Sequence, residues 1–388
     1  MLHLPRPLYV LAFAGALLMA GMPMALLIGG IVGVQLAPSP ALATLPLAAM
    51  VIGVAAFALP ASKILDKGGY KQLFLCGTLM CLGGNGFAIA ALIQQSFYLW
   101  LSAMLCLGFA SACAQQLRFS SRLFLSDQPH RIPVALSVFM LGGILAAIVG
   151  PELTMHNEIT ALPQYGTGFV IVSGMQLMAL ALVLFLPAAP SLKPIVQQHA
   201  GPINQGVLAV VVSVTAYGIM SFVMTATPIS MHEHHGHTMA NTKSVIQWHI
   251  LAMFIPSFFT GRLIQWLGID KSLILGIIFY LAVFTFTLSG VNLNHYATGL
   301  ILLGIGWNIL FTTGSTLAAQ HTNPNFKGKH DMLVFSIQAI SSLSAGAVLY
   351  QLHWQAVQWV AIAGLLPLVA VLLYKFVIEV KAKQSAAG

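Results

Sequence analysis

The stretch Ser62-Lys63-Ile64-Leu65-Asp66-Lys67-Gly68-Gly69-Tyr70-Lys71 separates two long apolar segments, and the fold prediction rests on it. Each flanking segment is long enough for a helix that crosses a membrane, which needs about 20 residues. Lys and Arg are retained on the cytoplasmic side of membrane proteins. The stretch therefore predicts a cytoplasmic turn between two membrane helices.

The composition indicates a membrane protein with many crossings. The chain has 388 residues, of which 58% are hydrophobic and 6% charged, and its mean hydropathy is +0.89. A soluble domain carries roughly a quarter charged residues. At about 20 residues per crossing, the length leaves room for around twelve helices. We expect contacts with the lipid bilayer, no nucleic-acid partner and no cofactor.

Hydropathy places twelve predicted helices along the chain, with a polar, Pro-rich connection in the middle. The prediction is an N-terminal six-helix bundle (1–187), a cytoplasmic linker (188–205) and a C-terminal six-helix bundle (206–388). The predicted helices are 8–34, 43–63, 72–93, 97–121, 133–151, 167–187, 206–229, 243–265, 272–290, 296–318, 333–352 and 356–378.

Basic residues indicate the orientation. With the N-terminus in the cytoplasm, this arrangement puts 15 of the 16 Lys and Arg on the cytoplasmic face and leaves only Lys243 opposite. Such a bias follows the positive-inside rule and supports an even number of helices. We expect a monomer in a bacterial inner membrane, with both termini in the cytoplasm.

The opening stretch resembles the loop between helices 2 and 3 of the major facilitator superfamily. In that pattern Ser62 replaces a Gly and Tyr70 replaces a basic residue. The positions that match are Asp66, Lys67, Gly69 and Lys71. The resemblance implies an all-α fold of two pseudo-symmetric six-helix bundles that expose a central site to each side in turn.

A decayed copy of the loop follows the predicted eighth helix, as expected for a duplicated transporter fold. It runs from Gly261 to Lys271, keeps the two Gly and the basic end, and has Gln265 at the acidic position. The resemblance further implies that the loop acid pairs with an Arg of helix 4 and faces the start of helix 11, latching a cytoplasmic gate. The gating residues predicted in this way are Asp66, Lys67, Gly69, Lys71 and Arg122.

Helix 4 carries Gln115, Arg118 and Arg122 at spacings that share one helical face. Guanidinium groups bind carboxylates bidentately, so the set suits a cavity for an anionic solute. Anchoring at the membrane boundary is the alternative for both Arg residues. Asp66 and Asp127 lie at the membrane edge and Asp331 at the start of helix 11, which leaves the substrate as a partner for Arg118.

Polar and aromatic residues in the second half predict the other wall of a midplane cavity. Their spacing of about four residues puts most of those on one helix on a common face. The substrate-binding residues predicted for both halves are Gln115, Arg118, Tyr217, Ser221, Gln247, Trp248, Trp307, Asn308 and Thr312.

Two titratable residues are candidates for proton coupling, because an ionisable group inside a membrane helix is costly. Glu152 lies at the periplasmic end of helix 5, and His249 lies about two turns inside helix 8. The alternatives are an interfacial Glu and a His that only bridges helices. Gly150-Pro151 resembles part of the helix 5 motif of superfamily antiporters, in which glycines permit close packing.

The sequence lacks the residue patterns that other functional classes require. The loop Met231–Met239 holds four His, but the spacing fits no zinc pattern, so no metal site is predicted there. The sequence has no nucleotide-binding Gly loop and no catalytic Ser, His and Asp set, so we expect no enzyme.

The function predicted from the sequence is a proton-coupled secondary transporter for a small organic, anionic solute. A proton-driven efflux antiporter for drug-like or metal-chelate solutes and a non-transporting sensor or metal-binding protein remain alternatives.

Overall fold

The structure, a computed structural model, describes residues 4–39, 42, 45–125, 127–153, 159, 161–188, 204–321, 323 and 325–387. Over these residues the chain is helical, and no strand is found among them. The helices in chain order are α1 (Arg6–Met19), α2 (Gly21–Leu36), α3 (Leu45–Gln94), α4 (Phe97–Gln116), α5 (Ser121–Phe124), α6 (Ile132–Glu152), α7 (Gly166–Leu184), α8 (Gln205–Ile229), α9 (Met239–Phe254), α10 (Ser257–Ser289), α11 (Leu293–Gln320) and α12 (Phe326–Ala387).

Nine helical segments within the described ranges are long and apolar enough to cross a membrane. Three of them contain an interior break, at Gly69, Gly268 and His353. The arrangement agrees with the predicted all-α membrane fold. The count of twelve crossings stays a prediction.

The described chain forms two compact units. Unit 1 comprises Met1–Lys193 together with Lys327–Ser336, and unit 2 comprises Pro194–Phe326 together with Ile337–Gly388. In unit 1, α3 packs on α4 and α7, and α1 packs on α6. In unit 2, α11 packs on α8, α9 and α10. Of the predicted linker, 189–203 lies outside the described residues, and the predicted bundle boundaries stay a prediction.

The loop and its decayed copy share one backbone conformation. Gly69 has φ 71° and ψ −178°, and Gly268 has φ 78° and ψ 174°. This region is open essentially to Gly alone. The two glycines occupy equivalent places, seven residues after Ser62 and Gly261. The break that turns the chain between consecutive helices is therefore repeated in both units.

Candidate functional site

A buried polar network in unit 1 centres on the carboxylate of Asp331. Arg118 Nη2 lies 2.6 Å from Asp331 Oδ1, and Gln116 Nε2 donates to Asp331 Oδ2 at 2.6 Å. His330 Nδ1 lies 2.9 Å from Asp331 Oδ1. Gln116, His330 and Asp331 are 0% exposed and Arg118 is 3% exposed. A buried carboxylate is stable when donors surround it in this way.

The change of helix type after α4 aims Arg118 at this carboxylate. The chain passes from α4 into a 3₁₀ turn at Leu117–Ser120. Arg118 Nη1 donates to the Gln115 carbonyl oxygen at 2.6 Å and lies 3.3 Å from Gln115 Oε1. The guanidinium also lies 4.4 Å from the centre of the Phe119 ring. These contacts fix the orientation of Arg118.

The partner predicted for Arg118, a substrate anion, is wrong. From the sequence, the nearby acidic residues were expected to have other roles, which left a substrate anion as the partner. The structure gives Arg118 a protein carboxylate, Asp331, at 2.6 Å. Burial requires that a cation be paired, and the pairing is met within the protein. The inference of an anionic solute loses this basis.

Asp66 forms a second ion pair in the same unit. Lys327 Nζ lies 2.6 Å from Asp66 Oδ1, and the two side chains are 2% and 13% exposed. The pairing predicted for Asp66 was with Arg122, which is buried and interacts electrostatically with Asp66. A Cβ added to Gly328 would lie 2.7 Å from Ser62 Cβ. The absence of a side chain at Gly328 therefore allows the start of α12 to approach α3 closely.

The end of the loop contacts the region of α7. Lys71 Nζ donates to the Leu184 carbonyl oxygen at 2.8 Å, and the Tyr70 hydroxyl donates to the Pro187 carbonyl oxygen. Cations and donors favour the carbonyl end of a helix, here the end of α7. Lys67 is exposed. Within the loop, Tyr70 and Lys71 thus anchor α7, while Asp66 contacts α12.

Four aromatic rings meet inside unit 2. Trp307 stacks on Phe311 with ring centres 5.2 Å apart and planes at 15°. Tyr217 meets both rings edge-on, at 5.2 Å and 4.8 Å, and Phe254 meets Trp307 at 5.9 Å. Trp307 is 1% exposed, and its Nε1 donor has no partner among the described residues. Two of the predicted substrate residues, Tyr217 and Trp307, therefore lie together.

Other predicted substrate residues are placed differently. Asn308 braces three helices, since Nδ2 donates to Met253 O and to Ser257 Oγ, while Oδ1 accepts from Thr260. The remaining predicted substrate residues differ in how deeply they are buried. Ser221 and Thr312 are buried, and Thr312 Oγ1 has no partner among the described residues, whereas Gln247 and Trp248 are exposed.

The two candidates for proton coupling also differ in burial. His249 is 0% exposed, with Nδ1 2.7 Å from the Leu300 carbonyl oxygen, and Nε2 has no partner in the described part of the chain. Glu152 is the last residue of α6 and is exposed. The burial that a proton role of Glu152 would need is not present, and the burial of His249 opposes its charged form. Both roles stay predictions.

The His-rich loop borders a cavity in unit 2. Ser230–His234 forms a π turn, and His235 Nδ1 lies 2.8 Å from the Ser230 carbonyl oxygen. A cavity of about 450 Å³ adjoins it, lined by His234, His235, Tyr350, His353, Trp354 and Gln355. In the described ranges, no group of three or more His, Cys, Asp and Glu side chains is arranged to hold a metal ion.

At the start of α12, Asp331 was considered from the sequence as an acid and set aside, whereas Lys327 and His330 were missed. Lys327, His330 and Asp331 make the buried polar contacts there, together with Gln116 of α4. A usable signal exists, because Lys327-Gly328-Lys329-His330-Asp331 is a dense charged run directly before the apolar segment predicted as helix 333–352. In unit 2, Phe311 follows Trp307 by four residues, the spacing at which helical side chains meet.

Comparisons with known proteins agree on one family. The family model described as Major Facilitator Superfamily matches residues 9–341. A riboflavin transporter of Brucella anthropi, RfnT, is 32% identical, and the match covers 98% of each chain. The MFS-type transporter YdeG of Bacillus subtilis is 27% identical over 88% of this chain and 84% of its own.

Solved structures show the same fold at low identity. The transporter FucP aligns with TM-score 0.74 and 15% identity, covering 95% of this chain and 99% of its own. A bacterial homologue of the iron transporter ferroportin aligns with TM-score 0.70 and 14% identity, covering 95% and 99%. At these identities the likeness concerns the fold alone.

Proposed function

Because the chain belongs to the Major Facilitator Superfamily and is a secondary transporter, we propose that its solute is a planar heteroaromatic compound of the riboflavin type. The observation that best supports this proposal is the cluster of Tyr217, Trp307 and Phe311 in unit 2. The relative named as a riboflavin transporter, which matches nearly the full length, supports the same class of solute.

The chemistry of the cluster fits such a solute. A flat ring system stacks on Trp and Phe faces, and each such stack contributes about 1–3 kcal/mol. The buried Nε1 of Trp307, which has no partner among the described residues, suits a carbonyl or ring-nitrogen acceptor at the ring edge. Such a donor costs free energy unless a partner arrives, and a bound solute would supply one. In this proposal Trp307 both stacks and donates.

Binding of riboflavin to the purified protein tests the proposal. Trp307→Leu removes the ring and should weaken binding by roughly 10-fold to 100-fold. Trp307→Phe keeps a ring but removes the donor, and should cost less. Trp100→Phe is the matched control for Trp307→Phe, because Trp100 is also fully buried and its Nε1 has no partner among the described residues, but it lies in unit 1 beside Phe169. Equal loss in the Trp100 and Trp307 variants would contradict a specific site.

We propose that transport uses alternating access across a bacterial inner membrane and is coupled to protons. The candidate carrier is His249, whose Nε2 has no partner among the described residues. Because the ring is fully buried, its charged form is costly, so uptake of a proton would require a change in its surroundings during transport. His249→Gln should preserve riboflavin exchange in proteoliposomes and weaken accumulation driven by a pH gradient. Accumulation equal to that of the parent would remove His249 from the coupling.

Efflux is the second candidate, and it rests on the packing of α6. A Cβ added to Gly150 would lie 2.7 Å from Pro23 Cβ, and one added to Gly142 would lie 3.0 Å from Ala16 Cβ. Both glycines therefore allow α6 to lie close to α1 and α2, as the antiporter-like motif implies. The direction of net riboflavin movement under an imposed pH gradient distinguishes uptake from efflux.

A further inference from the structure

Four buried hydroxyl side chains lie near the C-terminal end of α11, and they are of two kinds. Thr313 Oγ1 donates to the Ile309 carbonyl oxygen at 2.7 Å, and Thr316 Oγ1 donates to the Thr312 carbonyl oxygen at 2.8 Å. A bond to the carbonyl four residues earlier is a common way for a Ser or Thr inside a helix to be satisfied. Thr312 Oγ1 and Ser315 Oγ make no such bond and have no partner among the described residues.

Burial makes the hydroxyls of Thr312 and Ser315 suitable for a ligand. Each residue is 1% exposed. A buried hydroxyl that makes no hydrogen bond destabilises the folded protein, and a ligand that supplies the missing partner removes this cost. A hydroxyl group on a ligand is a suitable partner, because it both donates and accepts a hydrogen bond. The pair therefore fits a hydroxylated ligand.

The two hydroxyls continue the helical face that carries the aromatic cluster. Ser315 follows Phe311 by four residues and Trp307 by eight, and Thr312 precedes Ser315 by three. Residues three and four apart are neighbours on the surface of a helix. At 1.5 Å per residue, Ser315 lies about 6 Å beyond Phe311 along the axis of α11. A solute whose ring stacks on Trp307 and Phe311 can therefore extend a short side chain towards Ser315.

The two helices that form the cluster carry no charged side chain of the Asp, Glu, Lys or Arg type. This holds over the whole of α8, which supplies Tyr217, and of α11, which supplies Trp307 and Phe311. A charged group on the solute would be buried against these helices without an ionic partner from either, which is costly. A hydroxyl group carries no such cost once it is hydrogen-bonded. The composition of the site therefore favours a neutral hydroxylated chain over a carboxylate or a phosphate.

We propose that Thr312 and Ser315 bind a neutral, hydroxylated side chain of the solute, while Trp307 and Phe311 hold its planar ring. This inference rests on the proposed function, which supplies the ring, and adds a second element of recognition. The site then discriminates against ring compounds that lack the chain and against those that carry a phosphate on it. Riboflavin meets both requirements, because its ring bears an uncharged chain of hydroxyl groups.

Binding of three ring compounds to the purified protein tests the inference. They are riboflavin, lumichrome, which has the ring without the hydroxylated chain, and the phosphate ester of riboflavin, which is anionic. The parent should bind riboflavin more tightly than either of the others. Ser315→Ala and Thr312→Val should each weaken riboflavin binding by roughly 2-fold to 10-fold, the effect of one neutral hydrogen bond, and should leave lumichrome binding unchanged.

The chain offers a matched control for each variant. Thr313→Val is the control for Thr312→Val, because Thr313 is 0% exposed and its hydroxyl is already bonded to the Ile309 carbonyl oxygen. Ser137→Ala is the control for Ser315→Ala. Ser137 is also buried, with no partner for Oγ among the described residues, but it lies in α6 of unit 1. Neither control should change the ratio of the riboflavin and lumichrome affinities.

Thermal unfolding without solute separates recognition from folding. Thr312→Val and Ser315→Ala each remove a buried hydroxyl that has no partner among the described residues, so neither should lower the unfolding temperature. A lower unfolding temperature together with an equal loss of riboflavin and lumichrome binding would give the two hydroxyls a structural role and overturn the inference.

The remaining outcomes distinguish failure of the inference from failure of the proposed function. A parent that binds riboflavin and lumichrome equally, or an affinity ratio that both variants leave unchanged, would contradict recognition of the chain and leave recognition of the ring in place. Tighter binding of the phosphate ester than of riboflavin would contradict the neutral chain. A parent that binds none of the three compounds would contradict the proposed solute, and the inference with it.

Discussion

Lys327 Nζ lies 2.6 Å from Asp66 Oδ1, although the two residues are 261 positions apart in the sequence. Asp66 is the acid of the opening stretch, and Lys327 is the second residue of α12. The superfamily resemblance predicted that the loop acid faces the start of helix 11. The structure places that acid against a Lys at the start of α12, the long helix that contains the predicted helix 11 (333–352). This contact lies within unit 1.

The first prediction concerns this ion pair. Asp66→Asn removes the charge at nearly constant shape, so the Lys327–Ser336 segment should dock less firmly and transport should fall. Riboflavin binding and protein yield should persist. The matched control is Asp270→Asn, since the Asp270–Lys375 pair is exposed and such pairs contribute about 0–1 kcal/mol. A joint loss of folding and binding in Asp66→Asn would reduce Asp66 to a structural role.

The second prediction concerns Arg118 and Asp331. Removing one partner of a buried ion pair leaves an unpaired charge and costs about 3–5 kcal/mol. Arg118→Gln and Asp331→Asn should therefore each lower the thermal unfolding temperature strongly. The double variant should recover much of the loss, because no charge is left unpaired. Strictly additive losses would contradict a direct interaction between the two side chains.

The third prediction concerns the repeated break. Gly69→Ala and Gly268→Ala place a side chain at φ 71° and φ 78°, and each should cost about 1–3 kcal/mol. Gly83→Ala is the control, because a Cβ at Gly83 meets nothing within 4 Å in α3 and should stabilise by roughly 0.5–1 kcal/mol. Thermal unfolding of the three variants measures the difference. Equal effects at all three glycines would contradict the conformational argument.

The sequence predicted the parts of this fold that depend on local signals. The turn at Gly69 and its repeat at Gly268 follow from a short motif, and the helical stretches follow from long apolar runs. Trp307 and Tyr217 were identified because aromatic and hydroxyl groups are conspicuous inside such runs. These features need no knowledge of which helices are neighbours.

Which side chains contact each other could not be predicted from the sequence, because these contacts depend on how the helices pack. Asp331 lies 213 positions from Arg118, and nothing local indicates that the two meet. Gln247 and Trp248 were expected in a cavity but are exposed, while His249 beside them is buried. In a membrane helix both the lipid-facing and the protein-facing sides are apolar, so periodicity does not reveal which face is inside.

The fourth prediction concerns His353, which has φ 64° and ψ 177° at the break in α12. A residue with a side chain is strained there by about 1–3 kcal/mol. His353→Gly should therefore raise the unfolding temperature, with a net gain of about 1 kcal/mol once the flexibility of Gly in the unfolded chain is counted. A lower unfolding temperature would show that contacts of the His353 side chain outweigh the strain.

Counterflow of labelled riboflavin in proteoliposomes tests the central claim most directly, because it needs no ion gradient and reports only solute recognition and movement. The parent should accumulate label transiently against unlabelled riboflavin inside. Compounds with the planar ring system should compete, while ribitol and simple carboxylates should not, and Trp307→Leu should abolish the signal where Trp100→Phe does not. The absence of counterflow in the parent, or competition that is indifferent to the planar ring, would contradict the account.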